Sequence, residues 1–227
     1  MTQAQSQGGV DRSHAASHAP KLAFAALHAA ILATCAYLAF GLDWPDQTRA
    51  VLLFAAAALY FLRHQITLFV LLKRRVAYSE ALGLSAFMAL FEIGFLLLGA
   101  GILSGKAAPF GPLDVFAIAL ILIGSFFNTG SELQRHIWKR DPAHKGQCYT
   151  GGLFAHSMHI NYFGDSVLFT GWALLTTSWF AFAIPAFMTI SFVFFHIPGL
   201  DAYLADRYGA AFKSYAASTA KFVPYIY

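Results

Sequence analysis

Apolar residues in this chain arrive in unbroken blocks of about 20, the length an α-helix needs to cross a hydrocarbon layer roughly 30 Å thick. A half-buried strand would alternate apolar and polar residues, and a soluble helix would keep a polar face; these blocks do neither. Composition agrees, with 58% of the 227 residues hydrophobic, 16% aromatic and only 11% charged. The chain therefore reads as all-α, a polytopic transmembrane helical bundle, with spans expected at 21–41, 50–72, 82–104, 112–131, 161–178 and 179–197. Residues 1–20 are polar, end at Pro20 and lack the apolar stretch and cleavage site of a signal peptide, so they read as a disordered tail. Cys35 falls in a span and Cys148 in a basic loop, which sets aside a disulfide framework or a zinc ribbon.

Cytoplasmic loops are enriched in lysine and arginine. With the N-terminus inside, the inner segments collect Arg12, Lys21, Lys73, Arg74, Arg75, Arg135, Lys139, Arg140, Lys145, Arg207, Lys213 and Lys221, whereas the outer loops hold only Arg49 and Lys106. That asymmetry predicts an even number of spans and two cytoplasmic termini. It also accounts for the basic loops without a nucleic-acid partner, and none is expected. After the last span, Tyr208, Phe212 and Tyr215 recur at helical spacing among charged residues, the pattern of an amphipathic helix lying at the interface.

Polar side chains inside the spans narrow the function. An ionisable group in hydrocarbon costs on the order of 2.5–3.5 kcal/mol, so each needs a partner or a cavity. The second span carries Tyr60, Arg63, His64 and Gln65, the third Glu92, the end of the fourth Asn128, Ser131 and Glu132, and the fifth opens with His159, Asn161 and Asp165. Tyr60 and Arg63 lie about one turn apart on one face, as do Asn161 and Asp165. Arg63 could serve only to pair with Glu92, and His156 with His159 could bind a metal, although two histidines lack a clear third ligand. His64 and Gln65 sit off the Arg63 face and receive no role. Convergence of the rest favours a pocket open to the cytoplasm, where an anionic soluble cofactor meets an apolar substrate.

Several ordered motifs carry a family resemblance. Asn128, Ser131 and Glu132 are followed by Lys139 and Arg140, then by Tyr149 before Gly151, Gly152, Leu153 and Phe154. Next come Asn161, Tyr162, Gly164 and Asp165, then Tyr208, Gly209, Phe212 and Tyr215, and the chain closes on "PYIY". This C-terminal half resembles the C-terminal domain of the steroid 5α-reductase and sterol C14-reductase family, within the superfamily of membrane reductases and isoprenylcysteine methyltransferases. Upstream, "LYFLRH" resembles the family segment that carries Tyr60 and Arg63.

The resemblance implies one membrane-embedded domain over 21–227, with substrate-side helices in 21–127 and a cofactor-binding half in 128–227. It implies NADPH as cofactor, with Asn161 and Asp165 near the nicotinamide, Arg63 near the phosphates and Tyr60 approaching a substrate carbonyl. Asn128, Ser131, Glu132, Lys139, Arg140, Tyr149, Arg207 and Tyr208 complete the expected cofactor set, and Glu92 is a second candidate donor beside Tyr60. The expected activity is reduction of a carbon–carbon double bond in a lipid-like, steroid or enone substrate. One departure stands out. The family's early Gln-Glu pair is absent from 21–41, where His28 is the one ionisable side chain in the body of the span. An S-adenosylmethionine-dependent methyltransferase of the isoprenylcysteine type is the nearest alternative, but Met158 and Ile160 stand where its Arg and Pro would be. A transporter or a non-catalytic membrane protein is the third reading.

Overall fold

The computed structural model describes residues 15–99, 101, 103 and 105–227. Among these residues all regular structure is helical: α1 (His18–Gly41), α2 (Gln47–Ile66), α3 (Tyr78–Gly99), α4 (Pro112–Ser125), α5 (Ser131–Trp138), α6 (Ile160–Leu175), α7 (Ala183–Ser191), α8 (Ile197–Tyr208) and α9 (Ala210–Ser218). Three π-helical stretches, Thr67–Leu71, Phe126–Gly130 and Phe192–His196, continue α2, join α4 to α5 and join α7 to α8. Such wide turns inside long helices recur at functional sites, and the second of them carries Asn128.

Five helical runs are long and apolar enough to cross a membrane: His18–Gly41, Gln47–Leu71, Tyr78–Gly99, Pro112–Trp138 and Trp179–Tyr208. Only 17–39% of each apolar window is buried within the protein, so most of these side chains face outward, which hydrocarbon accepts and water does not. The protein is an integral membrane protein. The six expected spans become five of spanning length, because α6 has 16 residues, a rise of about 24 Å. The expected last span also runs on to Tyr208. Of the expected disordered tail, residues 1–14 lie outside the described residues, and α1 already begins at His18.

The chain divides into two compact units, a C-terminal one of Ile123–Val167 and Ala186–Tyr227, and an N-terminal one of residues 15–122 with Leu168–Pro185. In the N-terminal unit α1, α2 and α3 pack on one another. Its centre is an aromatic layer in which the Tyr60 ring meets Phe91 at 5.4 Å, Phe169 at 5.5 Å and Trp172 at 6.0 Å between centroids. Dispersion between close-packed side chains holds such a layer together, because lipid removes the hydrophobic drive.

At one end of this unit a buried ion pair fastens three chain segments. Asp46 caps α2 by accepting from the Arg49 amide at 3.0 Å. The Arg49 guanidinium then donates to both Asp114 carboxylate oxygens at 2.6 and 3.0 Å, to the Ala108 carbonyl and to the Leu175 carbonyl. Asp114 Oδ2 also accepts from the Gly111 amide at 2.9 Å, closing the first turn of α4 behind Pro112. The sequence left Arg49 in an outer loop; the fold makes it a staple.

In the C-terminal unit α6 approaches the π-helical turn backbone to backbone. A Cβ on Gly164 would lie 2.5 Å from the Asn128 amide nitrogen and 2.8 Å from the Gly124 carbonyl oxygen. The glycine in "NYFGD" is therefore explained by packing. The C-terminal segment is stitched beside the start of α6: the Met158 and His159 amides donate to the Ala220 and Lys221 carbonyls at 2.8 and 3.1 Å, and the Ser157 hydroxyl donates to the Phe222 carbonyl at 2.8 Å. Phe222 packs edge-on against Phe163, 5.8 Å between centroids.

Candidate functional site

In the C-terminal unit the wide turn and α5 present a chain of polar contacts. The Asn128 amide donates to the Asn161 carbonyl at 3.0 Å, and the Asn161 amide donates to Glu132 Oε1 at 3.0 Å. Glu132 in turn pairs with the Arg135 guanidinium one turn further along α5. Asn128, Glu132 and Asn161, separated by up to 33 positions, thus form one network that aims Arg135. The guanidinium lies 5.3 Å from the Phe154 ring centroid, within cation–π range.

Arg135 is one wall of a cavity of about 40 Å³. Lys139, Tyr149 and Tyr208 add a cation and two phenols, while Phe154, Met158 and Phe212 supply a buried apolar floor. Two devices shape the wall around Phe154. Gly152 adopts φ +56°, and a Cβ there would sit 2.3 Å from Gln134 Oε1. That oxygen accepts the Leu153 amide at 2.9 Å and so holds the turn. On the other side, the Tyr215 hydroxyl donates to the Phe154 carbonyl.

The lining contains two cations, Arg135 and Lys139, and no carboxylate. Partial burial, followed by the charges of Arg135 and Arg207, holds the Lys139 ammonium below the ordinary lysine value. Burial pushes the Tyr149 and Tyr215 phenols and the Cys148 thiol above their ordinary values, so these groups remain donors rather than anions at neutral pH. Lys139 Nζ lies 3.5 Å from the Tyr208 hydroxyl, and Arg207 stands over the Tyr208 ring at 5.5 Å. This is a small, aromatic, electropositive hollow.

Several sequence expectations fall elsewhere. Ser131 is fully buried and donates to the Asn128 carbonyl at 2.9 Å, so it braces the turn and does not face the cavity. Arg140 is exposed beyond α5, and neither it nor Asp165 belongs to the cavity wall. Tyr208, Phe212 and Tyr215 do not form a free interfacial stripe. Gly209, at φ 55°, separates α8 from α9, and all three aromatic residues line the cavity. His156 and His159 are not a metal pair: His159 Nε2 meets Asp201 Oδ1 at 2.8 Å, while His156 meets the Tyr225 hydroxyl. Among the described residues no three His, Cys, Asp or Glu side chains converge as a metal requires. Sequence reasoning missed Arg135, Cys148, Met158 and Leu204 as cavity lining; Phe154, Phe212 and Tyr215 were visible as motif members but received no role.

The N-terminal unit holds Tyr60, Arg63 and Glu92. The Arg63 guanidinium is buried, 5.8 Å from the Tyr60 ring centroid. Glu92 does not take Arg63 as its pair. Its Oε1 lies 2.7 Å from His28 Nε2, and His28 Nδ1 lies 2.7 Å from His64 Nδ1. His28 and Glu92 are 0% and 1% exposed. The signal for His28 was present, a lone ionisable residue inside an apolar span, but its partners lie 36 and 64 positions away.

Comparison with known proteins adds a family and a relative. The profile of a family described as a protein of unknown function, DUF1295, matches residues 87–219. A curated protein of Ustilaginoidea virens, "Probable O-methyltransferase ustE", is 31% identical over 94 residues, which make up 41% of this chain and 31% of that relative. The match thus spans under a third of the relative's length.

Proposed function

The chain belongs to the DUF1295 family, and on that premise we propose that it is a membrane-embedded, NADPH-dependent reductase of a carbon–carbon double bond conjugated to a carbonyl in a lipid-like substrate. One observation carries this reading: the cavity of the C-terminal unit gathers Arg135 and Lys139 with Arg207 close by, and has no carboxylate in its lining. Such a site favours a ligand rich in negative charge, as a dinucleotide with an extra phosphate is. A sulfonium cofactor would place its positive sulfur near Lys139, which Arg135 and Arg207 already repel. At about 40 Å³ the cavity lies far below the roughly 300–1,000 Å³ of ordinary ligand sites, so as it stands it would admit a phosphate group rather than a nucleotide.

The bound cofactor would supply a hydride. The protein's own residues would do the rest. Arg135 and Lys139 would hold phosphate oxygens through charge-assisted hydrogen bonds, with the Tyr149 and Tyr208 hydroxyls as further donors. Asn128, Glu132 and Asn161 keep Arg135 in position. In the N-terminal unit, Tyr60 is the proposed donor to the substrate oxygen on which charge collects, and Glu92 is the second candidate.

The name of the fungal relative favours a second reading, S-adenosylmethionine-dependent O-methyl transfer. Thermal unfolding of the purified protein separates the two, because a ligand at about 100 times its Kd adds about 2.7 kcal/mol of stability. NADPH is expected to raise the midpoint and S-adenosylmethionine to leave it unchanged. Stabilisation by S-adenosylmethionine alone would overturn the reductase reading in favour of the transferase.

A further inference from the structure

The chain of groups at His64, His28 and Glu92 links the second candidate donor to a half-buried imidazole. We propose that it is a proton relay, through which a half-buried imidazole reloads a carboxyl in the core of the N-terminal unit. This goes beyond the functional reading above and holds whichever cofactor the C-terminal cavity takes.

The geometry is that of a wire. His28 uses both ring nitrogens, Nδ1 toward His64 and Nε2 toward Glu92, each at 2.7 Å. The three members come from α2, α1 and α3, so the wire crosses the packed middle of the unit. One end is less enclosed, because His64 is only half-buried and stands about two turns from the end of its helical run at Leu71. The other end is sealed, and Glu92 Oε2 has no hydrogen-bond partner among the described residues. A buried polar atom left unmade costs about 1–3 kcal/mol, so such an atom calls for a role.

Proton counting gives two fully bonded arrangements with the same total charge. In the first, the Glu92 carboxyl donates to His28 Nε2, His28 Nδ1–H donates to His64 Nδ1, and both imidazoles are neutral. In the second, Glu92 is a carboxylate accepting His28 Nε2–H, while His64 is an imidazolium donating from Nδ1 to His28 Nδ1. Two short hops along the existing bonds interconvert them, so one proton passes between His64 and Glu92 without any heavy atom moving far. Run toward Glu92, the hops place a proton on Oε1; a half-turn of the carboxyl about its Cγ–Cδ bond then presents that proton where Oε2 stood, to a basic oxygen of an apolar ligand, and His64 takes its replacement from water. The other titratable or charged groups midway along these helices are Cys35 on α1 and Tyr60 and Arg63 on α2. The Tyr60 ring stands 5.8 Å from His28, edge-on, and Cys35 is fully buried.

The test reads hydrogen exchange at Glu92 itself, with no substrate. Full-length protein in lipid nanodiscs is transferred from H2O to D2O, and the carboxyl stretch that disappears in Glu92→Gln is followed by infrared spectroscopy. In the wild type that band is expected to shift as fast as the solvent mixes. In His28→Gln, which keeps a polar side chain but cannot pass a proton between two ring nitrogens, the shift should slow by at least about 10²-fold, the lower end of what a positioned proton-transfer group contributes. His64→Gln makes the same prediction at the less enclosed end, and so covers a failure of the buried variant to fold. Equal exchange rates in the variants and the wild type, or no carboxyl band that Glu92→Gln removes, would overturn the relay.

Discussion

Among the described residues of the N-terminal unit, the buried pairs Arg49–Asp114 and His28–Glu92 differ in one respect. At Arg49–Asp114 all three guanidinium nitrogens and both carboxylate oxygens have partners. At His28–Glu92 the pair is just as buried, but one carboxylate oxygen is left over. A buried charge with every bond made acts as a staple, since any change in it leaves something unpaired. A buried acid with a bond to spare can exchange a proton or meet a ligand. The cations of the C-terminal cavity sit between these cases: Arg135 has Glu132, whereas Lys139 is pressed by Arg135 and Arg207.

The largest expected effect breaks the staple. Asp114→Asn leaves Arg49 buried without its counter-charge and should cost about 3–5 kcal/mol, read as a lower unfolding midpoint in detergent; an unchanged midpoint would remove the contrast. Next, Tyr60→Phe should leave NADPH binding intact and lower turnover by about 10²–10³-fold, the loss typical of one donor to a developing oxyanion. Full turnover in that variant would reassign the donor. Gly164→Ala forces a methyl against the Asn128 amide and should cost about 1–3 kcal/mol by overpacking, with weakened cofactor binding because Asn128 is displaced.

Smaller effects sharpen the comparison. Glu92→Gln keeps the shape and one hydrogen bond to His28, so its stability change should stay within about 1.5 kcal/mol, well short of Asp114→Asn. Lys139→Gln should act with opposite signs on two measurements. Removing a repelled cation changes the unliganded protein by no more than about 0.5 kcal/mol, in the stabilising direction, while NADPH affinity falls roughly fivefold, as for an exposed ion pair worth about 1 kcal/mol. The pH dependence follows from the lowered Lys139 value. Folding disfavours the charged form, so that penalty is present below the folded value and is relieved as pH rises through it. Affinity for an anionic cofactor should therefore fall in that same window, below the ordinary lysine range, and Lys139→Gln should flatten the profile.

Membrane residence and helical class were legible in the sequence alone, because crossing hydrocarbon demands long apolar helices and these leave a periodic record that needs no partner. Asn128, Glu132 and Asn161 were legible by the same local logic, as polar groups out of place near span ends, whereas Lys139, Tyr149 and Tyr208 came from the family resemblance. Pairing was not legible. Glu92 was weighed against Arg63, its neighbour by residue type, yet its partner is His28, 64 positions away. Arg49 looked like a loop residue until Asp114 and Leu175 closed on it. Hydrogen bonds act over about 3 Å, whereas sequence separation says nothing about distance between helices; which polar groups are satisfied and which keep a free valence was decided only when the helices packed.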